Sequence, residues 1–424
     1  MKPFKFNKYL FTAYIVIICS PLSSFAYSVL THEAIIDASW EKSIQPLLKQ
    51  KYPGATEDQL KVAHSYAYGG AIAPDMGYFP FGSPLFTNLV HYVRSGDFVN
   101  ALLVDAKDLN EYAFALGFLS HYMADKYGHF LGTNRCVPIV YPKMQKKFGN
   151  LVTYGEDKVS HKRMEFDFDV LETAKGNYAS QAYHDFIGFN VSRELLERSF
   201  IKIYGLDLND VFNDFSLAIS TFRWSVKSLF PVLTKAAWVT QKNEIRKLNP
   251  TATSRSFRYK MKNANYYEEY GKKHSKPGIF ANAFSFLIRV LPKVGPLKSL
   301  KLKEPGPAAE KLFIASFDSV LTNYAISMKI LGSQNVDLSN IDFDTGKETS
   351  PGEYELADVN YGNLLLQLDY KQFIHLNADL KLNIIDFYSN YKPIIKTKKD
   401  RQKEVKITAA LVQLKNAKPA ESTL

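Results

Sequence analysis

The pattern of hydrophobic positions is that of buried helices. Between Asp97 and Phe130, apolar residues fall on nearly every side of a helical projection, which is typical of helices surrounded by protein. Asp97 follows Ser95 and Gly96 and is predicted to cap the start of this region. Strand patterns are sparse, so we predict an all-α fold. The other segments with helical patterns are Thr31–Lys49, Thr56–Gly69, Glu156–Thr173, Ser192–Ile203 and Asp210–Thr240.

The composition changes near Gln241, where a basic segment begins. Residues 242–273 contain nine Lys or Arg against three Glu, and prolines punctuate the Lys-rich stretch that follows. We predict a helical domain over 27–240, a basic linker over 241–307 and a mostly helical C-terminal region of unknown role over 308–424. The elements predicted in that last region are helices over Ala308–Leu331, Gly362–Lys371 and Phe373–Tyr391, an acidic loop over 335–363 and a polar, basic tail.

Residues 1–26 have the pattern of a secretory signal peptide. Lysines precede an apolar run, and small residues lie before Ala26, where signal peptidase would cleave. The run is about ten residues, roughly half of what a bilayer crossing needs, so no transmembrane anchor is expected after processing. Cys19 follows the bulky Ile18, which argues against a lipid anchor. We expect the mature protein to begin at Tyr27 and to be secreted or periplasmic.

Net charge and cysteine content narrow the function classes without identifying the chemistry. The 424 residues carry a net charge of +11, which permits binding to nucleic acid or anionic lipid. Cleavage of the signal peptide removes three lysines and lowers the net charge to +8. Cleavage also leaves Cys136 as the single cysteine, which excludes an intrachain disulfide and a Cys-rich zinc module.

The candidate chemistry lies on histidines and carboxylates at helical spacing. His121, Asp125 and His129 are four residues apart, so they lie within roughly 80° of one another around a helix. Burial of these groups without partners costs several kcal/mol, and a metal ion that accepts their lone pairs removes that cost. His161 and Glu165 repeat the spacing on a second predicted helix.

Three residues upstream extend this set, namely His32, Asp75 and His91. A single His and carboxylate pair is more often a hydrogen bond than a metal site. Taken together, the residues favour a zinc site, because imidazole and carboxylate without thiolate are typical of hydrolytic zinc centres. The remaining histidines have no partner at ligand spacing and are interpreted as structural, namely His64, His184, His274 and His375.

This ordered series resembles the zinc-dependent phospholipase C superfamily. That superfamily includes the secreted bacterial phospholipases C, the N-terminal domain of glycosylphosphatidylinositol-specific phospholipase D and, more distantly, the single-strand-specific zinc nucleases. The resemblance covers about Tyr27 to Val170 and implies a multi-helix domain of the phospholipase C/zinc nuclease type. The matching positions are Tyr27, His32, Asp75, His91, His121, Asp125, His129, His161 and Glu165.

The resemblance implies a cluster of three zinc ions. The third ion would be held by the α-amino group and carbonyl of Tyr27, by His32, and by Asp125 as a bridge. Signal cleavage would create that amine and so complete the site. Asp75 would orient or deprotonate the water that attacks a phosphodiester. The first ion would be held by Asp75, His91, His121 and Asp125, and the second by His129, His161 and Glu165.

The sequence departs from the family pattern at three positions. Tyr27 replaces a common Trp, which leaves the metal prediction intact because the ligands there are backbone atoms. Asp125 and His129 are four residues apart, whereas six residues separate these ligands in the secreted phospholipases and the nucleases. The shorter step is closer to the glycosylphosphatidylinositol-specific phospholipase D pattern. Met76 follows Asp75 where choline-selective members have an aromatic residue, so choline recognition is not predicted.

The sequence thus favours an exported zinc phospholipase C whose substrate is a phospholipid or a lipid-linked phosphodiester. The apolar face of Phe280–Leu291 either packs in the core or makes peripheral contact with a membrane surface. The alternatives are a zinc nuclease acting on single-stranded nucleic acid, a phospholipase D-like specificity, and a catalytically silent relative that binds surfaces. The absence of disulfides disfavours the nuclease, and the intact ligand set disfavours the silent relative.

Overall fold

Helices make up nearly all of the regular structure. The computed structural model describes residues 29–175, 178, 187–226, 303, 305–393, 395 and 397–420. Within these ranges, the β-type backbone pairing is limited to an isolated antiparallel bridge between Ile341 and Glu348. The predicted all-α fold with a helical C-terminal region is confirmed. No helix in the described ranges is long and apolar enough to cross a membrane.

Several predicted features lie outside the described residues. They are the signal peptide over 1–26, the terminal residue Tyr27, the segment Phe280–Leu291, His184 and His274, and nearly all of the linker over 241–307. The domain boundaries, export and cleavage therefore stay predictions.

The N-terminal half is a series of helices joined by short connections. A 3₁₀ turn covers Ala73–Tyr78, and π-helical turns cover Trp40–Ile44 and His129–Thr133. The helices are α1 (Val29–Ser39), α2 (Gln45–Lys51), α3 (Glu57–Ile72), α4 (Pro84–Tyr92), α5 (Ser95–Asp105), α6 (Leu109–Gly128), α7 (Asn134–Val140), α8 (Pro142–Phe148), α9 (Lys158–Lys175), α10 (Arg193–Tyr204), α11 (Leu208–Val211) and α12 (Phe215–Trp224).

The C-terminal region contains more helix than the sequence pattern predicts. The predicted acidic loop ends nine residues early, because Glu355 already opens a helix. The chain predicted as a polar tail forms a helix whose start is fixed by a reciprocal capping box between Thr397 and Asp400. The helices are α13 (Pro307–Leu331), α14 (Glu355–Tyr370), α15 (Ala378–Ser389) and α16 (Lys398–Asn416).

Helix α5 starts earlier than its sequence signal indicates. Asp97 is not the cap, because the helix already begins at Ser95. The residue before it, Arg94, has a left-handed backbone conformation with a φ of 51°. The Asp97 carboxylate instead accepts a hydrogen bond of 2.7 Å from the Arg94 guanidinium. Asp108 caps the next helix by accepting from the backbone N–H groups of Asn110 and Glu111.

Helices α3 and α6 cross at backbone contact through two glycines. A Cβ atom on Gly70 would lie 1.9 Å from the carbonyl oxygen of Phe114, and one on Gly117 would lie 2.0 Å from that of Ala67. No other residue type fits at either position without separating the helices. The crossing holds the His121 and Asp125 stretch of α6 against the end of α3, immediately before the turn that carries Asp75.

C-terminal residues pack directly on the N-terminal helices. Helix α13 lies along α6, and the Tyr324 hydroxyl donates a hydrogen bond of 2.9 Å to the carbonyl of Leu116. Phe313 stacks on Phe168 of α9 with ring centroids 4.1 Å apart. Helix α14 packs on α4. The helix that carries His121 is thus enclosed by chain from both halves of the sequence.

We predict that Gly117→Ala lowers the free energy of unfolding by about 2–3 kcal/mol, because the new methyl group overlaps the backbone of α3. Urea denaturation of the full chain measures this change. Gly54→Ala is the matched control, since nothing lies within 4 Å of a Cβ there. Equal stability of the two variants would show that the helices do not cross at contact distance.

Candidate metal centre

Eight of the nine predicted ligands converge in one buried cluster. None of the eight is more than 3% exposed. Tyr27, the ninth, lies outside the described residues. His32 is on α1, Asp75 on the 3₁₀ turn, His91 on α4, His121 and Asp125 on α6, His129 at the start of the second π-helical turn, and His161 and Glu165 on α9.

The Asp125 carboxylate lies at the centre of the cluster and faces four imidazoles. Its Oδ2 atom is 3.2 Å from Nε2 of His121 and 3.6 Å from Nε2 of His91. Its Oδ1 atom is 3.7 Å from Nε2 of His32 and 3.8 Å from Nε2 of His129. The two oxygens therefore point to different sets of ligands, which is the arrangement a bridging carboxylate requires.

The cluster divides into three groups that can each hold a metal ion. In each group, the ligand atoms lie within 4.8 Å of one another. His121 provides the overlap, because it belongs to two of the groups. The groups are His32, His121 and Asp125; Asp75, His91 and His121; and His129, His161 and Glu165.

Backbone carbonyls fix the orientation of three of the imidazoles. Nδ1 of His91 lies 2.8 Å from the Thr87 carbonyl, and Nδ1 of His121 lies 2.8 Å from that of Ala71. Nδ1 of His129 lies 2.9 Å from the Phe343 carbonyl. A carbonyl only accepts, so Nδ1 carries a proton and Nε2 is the ring nitrogen that faces the cluster.

Thr87 joins the turn that carries Asp75 to the helix that carries His91. Its hydroxyl accepts from the Gly77 N–H at 2.8 Å and donates to the Pro74 carbonyl at 2.7 Å. Its own carbonyl takes the His91 ring proton. One threonine therefore sets the distance between Asp75 and His91, whose facing atoms are 3.4 Å apart.

Asp169 fixes the start of α1 next to the cluster. Its carboxylate accepts hydrogen bonds from the backbone N–H groups of Leu30 and Thr31, at 3.0 and 3.1 Å. It also accepts from the Thr31 hydroxyl at 2.7 Å. An anion at a helix N-terminus is stabilised by the free N–H groups and the helix dipole. Helix α1 is thereby held to α9, with His32 stacked on His121 at a centroid distance of 4.2 Å.

The electrostatics of the cluster favour a bound cation. Burial alone would raise the pKa of Asp125, but the imidazoles of His121 and His129 hold it well below its usual range. Burial opposes charge on His129 as well, yet Asp125 and Glu165 raise its pKa to about 10. Buried carboxylates that stabilise this much positive charge on neighbouring imidazoles can also stabilise a bound metal ion.

The donor set fits zinc. Among the described residues, no hydrogen bond reaches Nε2 of His91 or His121, or either carboxylate oxygen of Asp125 and Glu165. His161 Nε2 and Glu165 Oε1 are 2.8 Å apart without hydrogen-bond geometry. Buried polar atoms without such partners cost free energy unless a ligand satisfies them. Imidazole nitrogens and carboxylate oxygens are ligand types that zinc takes in proteins.

The sequence did not reveal the part of the centre built by residues 338–354. Phe343 accepts the His129 ring proton and donates its own N–H to the His91 carbonyl at 3.1 Å. Its ring lies 4.9 Å from that of His91. Both hydrogen bonds use backbone atoms, which any residue type supplies, so no sequence pattern marks them.

Asp344 anchors this loop to the same helices. Its carboxylate accepts hydrogen bonds from the hydroxyls of Tyr92, at 3.0 Å, and Tyr354. Its carbonyl accepts from the Asn134 side chain at 2.6 Å. The acidic character of the loop is visible in the sequence, but Tyr92 and Asn134 lie more than 200 residues from Asp344 along the chain, so this pairing could not be read from spacing.

Comparison with known proteins agrees with the geometry. The model of the family described as zinc dependent phospholipase C matches residues 31–213. This stretch belongs to that family. The match contains all eight clustered residues and confirms the predicted family for this part of the chain.

Two further comparisons add little to the zinc-dependent phospholipase C match. An uncharacterized protein from Archaeoglobus fulgidus is 29% identical over 157 residues, which cover 35% of this chain and 43% of that protein. The alignment thus spans less than half of the relative. No solved structure matches the chain. The loop over 338–354 lies outside the residues matched to the zinc-dependent phospholipase C family.

We predict that Gly346→Ala lowers the zinc content of the protein, chiefly at the group containing His129. Gly346 has a φ of 69°, and a Cβ atom there would lie 2.4 Å from the Lys126 carbonyl oxygen, so the loop would be pushed away from the end of α6. Zinc per chain after dialysis measures the effect. Gly352→Ala is the control, with a φ of 84° and nothing within 4 Å. Equal zinc content in both variants would contradict a role for the loop.

Proposed function

We propose that the protein is a zinc-dependent phosphodiester hydrolase of the phospholipase C type, acting on phospholipids or lipid-linked phosphodiesters. The observation that carries this proposal is the buried Asp125 carboxylate facing four imidazoles within the family-matched residues. Burying such a set of groups without a cation would cost free energy, and zinc is the cation on which the matched family depends.

The ligand assignment follows the three groups. Asp75, His91 and His121, with Oδ2 of Asp125, would hold one ion, and His129, His161 and Glu165 a second. The third would be held by His32, by Oδ1 of Asp125, and by the amine and carbonyl of Tyr27. Three ions are the number that the three groups support.

Zinc, when bound, polarises phosphoryl oxygens and lowers the pKa of water to near neutrality. Asp75 is the general base in this proposal. Burial raises the pKa of its carboxyl, which makes the carboxylate a stronger base than an exposed aspartate. The Thr87 hydroxyl holds its turn in place, so the carboxylate is oriented before substrate binds.

Processing of the N-terminus would complete the centre. Asp169 holds the first turn of α1 beside α9, and Tyr27 precedes that turn by two residues. This supports a terminal amine as a ligand and, with it, export and cleavage after Ala26. The substrate would then be a lipid reached outside the cytoplasm, at a membrane surface.

We predict that zinc and hydrolysis are lost together in Asp125→Asn. Zinc-loaded protein beginning at Tyr27 should release phosphorylated head groups from phospholipid vesicles, and a chelator should abolish the release. Asp125→Asn should lower the rate by more than about 100-fold, because it removes the charge shared by two sites. Zinc per chain and phosphate release are the measurements.

Asp167→Asn on α9 is the matched control. Asp167 is also fully buried, but it accepts hydrogen bonds from the Tyr141 hydroxyl and the Lys303 N–H. Burial raises the pKa of the Asp167 carboxyl well above the usual range, whereas the pKa of Asp125 is held low, so the exchange to Asn removes less charge at Asp167 than at Asp125. Activity retained in Asp125→Asn would exclude the bridge. If the protein cleaves single-stranded DNA and does not hydrolyse phospholipid, the zinc nuclease would replace the phospholipase C as its function.

We predict that one extra residue before Tyr27 removes one zinc ion per chain. The added residue converts the terminal amine to an amide, which cannot donate a lone pair to the metal. Metal analysis of protein beginning at Tyr27 and of the extended protein makes the comparison. An extra residue after Leu424 is the control. Equal zinc content in all three proteins would refute terminal ligation while leaving the other two ions in place.

A further inference from the structure

Lys162 is a nearly buried cation at the metal centre. It directly follows His161 on α9 and is only 8% exposed. Within the described part of the chain, no carboxylate lies within salt-bridge distance of its ammonium group. Lysine is seldom buried without a paired charge, so a cation in this position calls for an anionic ligand.

Two tyrosines locate the ammonium relative to the metal groups. It lies 5.3 Å from the ring centroid of Tyr154, and that centroid is 5.7 Å from the centroid of the His161 ring. It lies 6.0 Å from the ring centroid of Tyr78, and that centroid is 6.4 Å from the centroid of the His91 ring. His161 and His91 belong to different metal groups. The ammonium therefore lies beside two tyrosines that neighbour different metal groups.

The charge around Lys162 favours an anion once the centre holds metal. Asp75 and Glu165 are the carboxylates whose charge acts on the Lys162 ammonium, and both are assigned as zinc ligands. A bound cation neutralises them, so they no longer compensate the ammonium. Tyr78 is half-buried, whereas the eight ligands are buried, so the protein is partly open to solvent on the side of Tyr78.

We propose that Lys162 is a substrate-binding residue whose ammonium contacts a non-bridging phosphoryl oxygen of the phosphodiester, between Tyr78 and Tyr154. This inference rests on the proposed function, because it takes the phosphoryl group to lie at the metal centre. A fixed ammonium stabilises the charge that grows on the phosphoryl oxygens as the water attacks. The two aromatic walls limit water around it, which strengthens that interaction.

The test compares Lys162→Met with Lys162→Arg and Lys158→Met. Lys158 is the matched control, because it is one turn earlier on α9 and lies 5.2 Å from the same Tyr154 ring, but is exposed. Zinc content, the Kd of inorganic phosphate by calorimetry, and kcat and KM on phospholipid are measured on the zinc-loaded full chain. Lys162→Gln serves as a second neutral variant if Lys162→Met does not fold.

Lys162→Met should keep its zinc, bind phosphate about tenfold more weakly and lose about 100-fold in kcat/KM. Lys162→Arg should recover part of both, and Lys158→Met should match the wild type. Unchanged phosphate affinity and kcat/KM in Lys162→Met or Lys162→Gln would overturn the role of Lys162 and leave the proposed function standing. Absence of zinc or hydrolysis in the wild type would overturn both.

Discussion

The structure depends on a single carboxylate that lies in the buried core, where an ionised group costs the most free energy. Asp125 is fully buried on α6, and its oxygens face imidazoles delivered by three other parts of the chain. The charge is tolerable because the surrounding groups are held rigidly. Carbonyls of Thr87, Ala71 and Phe343 fix three rings. Rigid outer partners also limit the reorganisation needed when a cation or substrate binds.

The packing around α6 serves this geometry. The glycine crossing with α3 brings the Ala71 carbonyl to His121, and the 3₁₀ turn after α3 then delivers Asp75. The π-helical turn that begins at His129 widens the helix where its ligand face must meet α9. Such local distortions are common at functional sites. The site is thus formed by the core helices themselves, and side-chain positions in it are as constrained as those of the core.

The sequence predicted the parts of this arrangement that spacing encodes. His121, Asp125 and His129 share a helical face, and their side chains mark the chemistry, so the cluster and the family could be inferred. Helix ends such as Ser95 were misplaced because contacts with Asn340 and Ile341 override the local capping signal. The loop around Phe343 was invisible because it contributes backbone atoms. Lys162 carried no spacing signal, since its role arises from neighbours on other elements.

The hydrogen bond between His129 and the Phe343 carbonyl joins residues 214 positions apart in sequence. The family-matched stretch ends at residue 213, so it contains every clustered ligand but not the group that sets the tautomer of His129. The orientation of this imidazole therefore depends on chain that the matched stretch does not contain. A fragment ending at residue 213 would keep every clustered ligand and lose the carbonyl that holds the His129 ring in place.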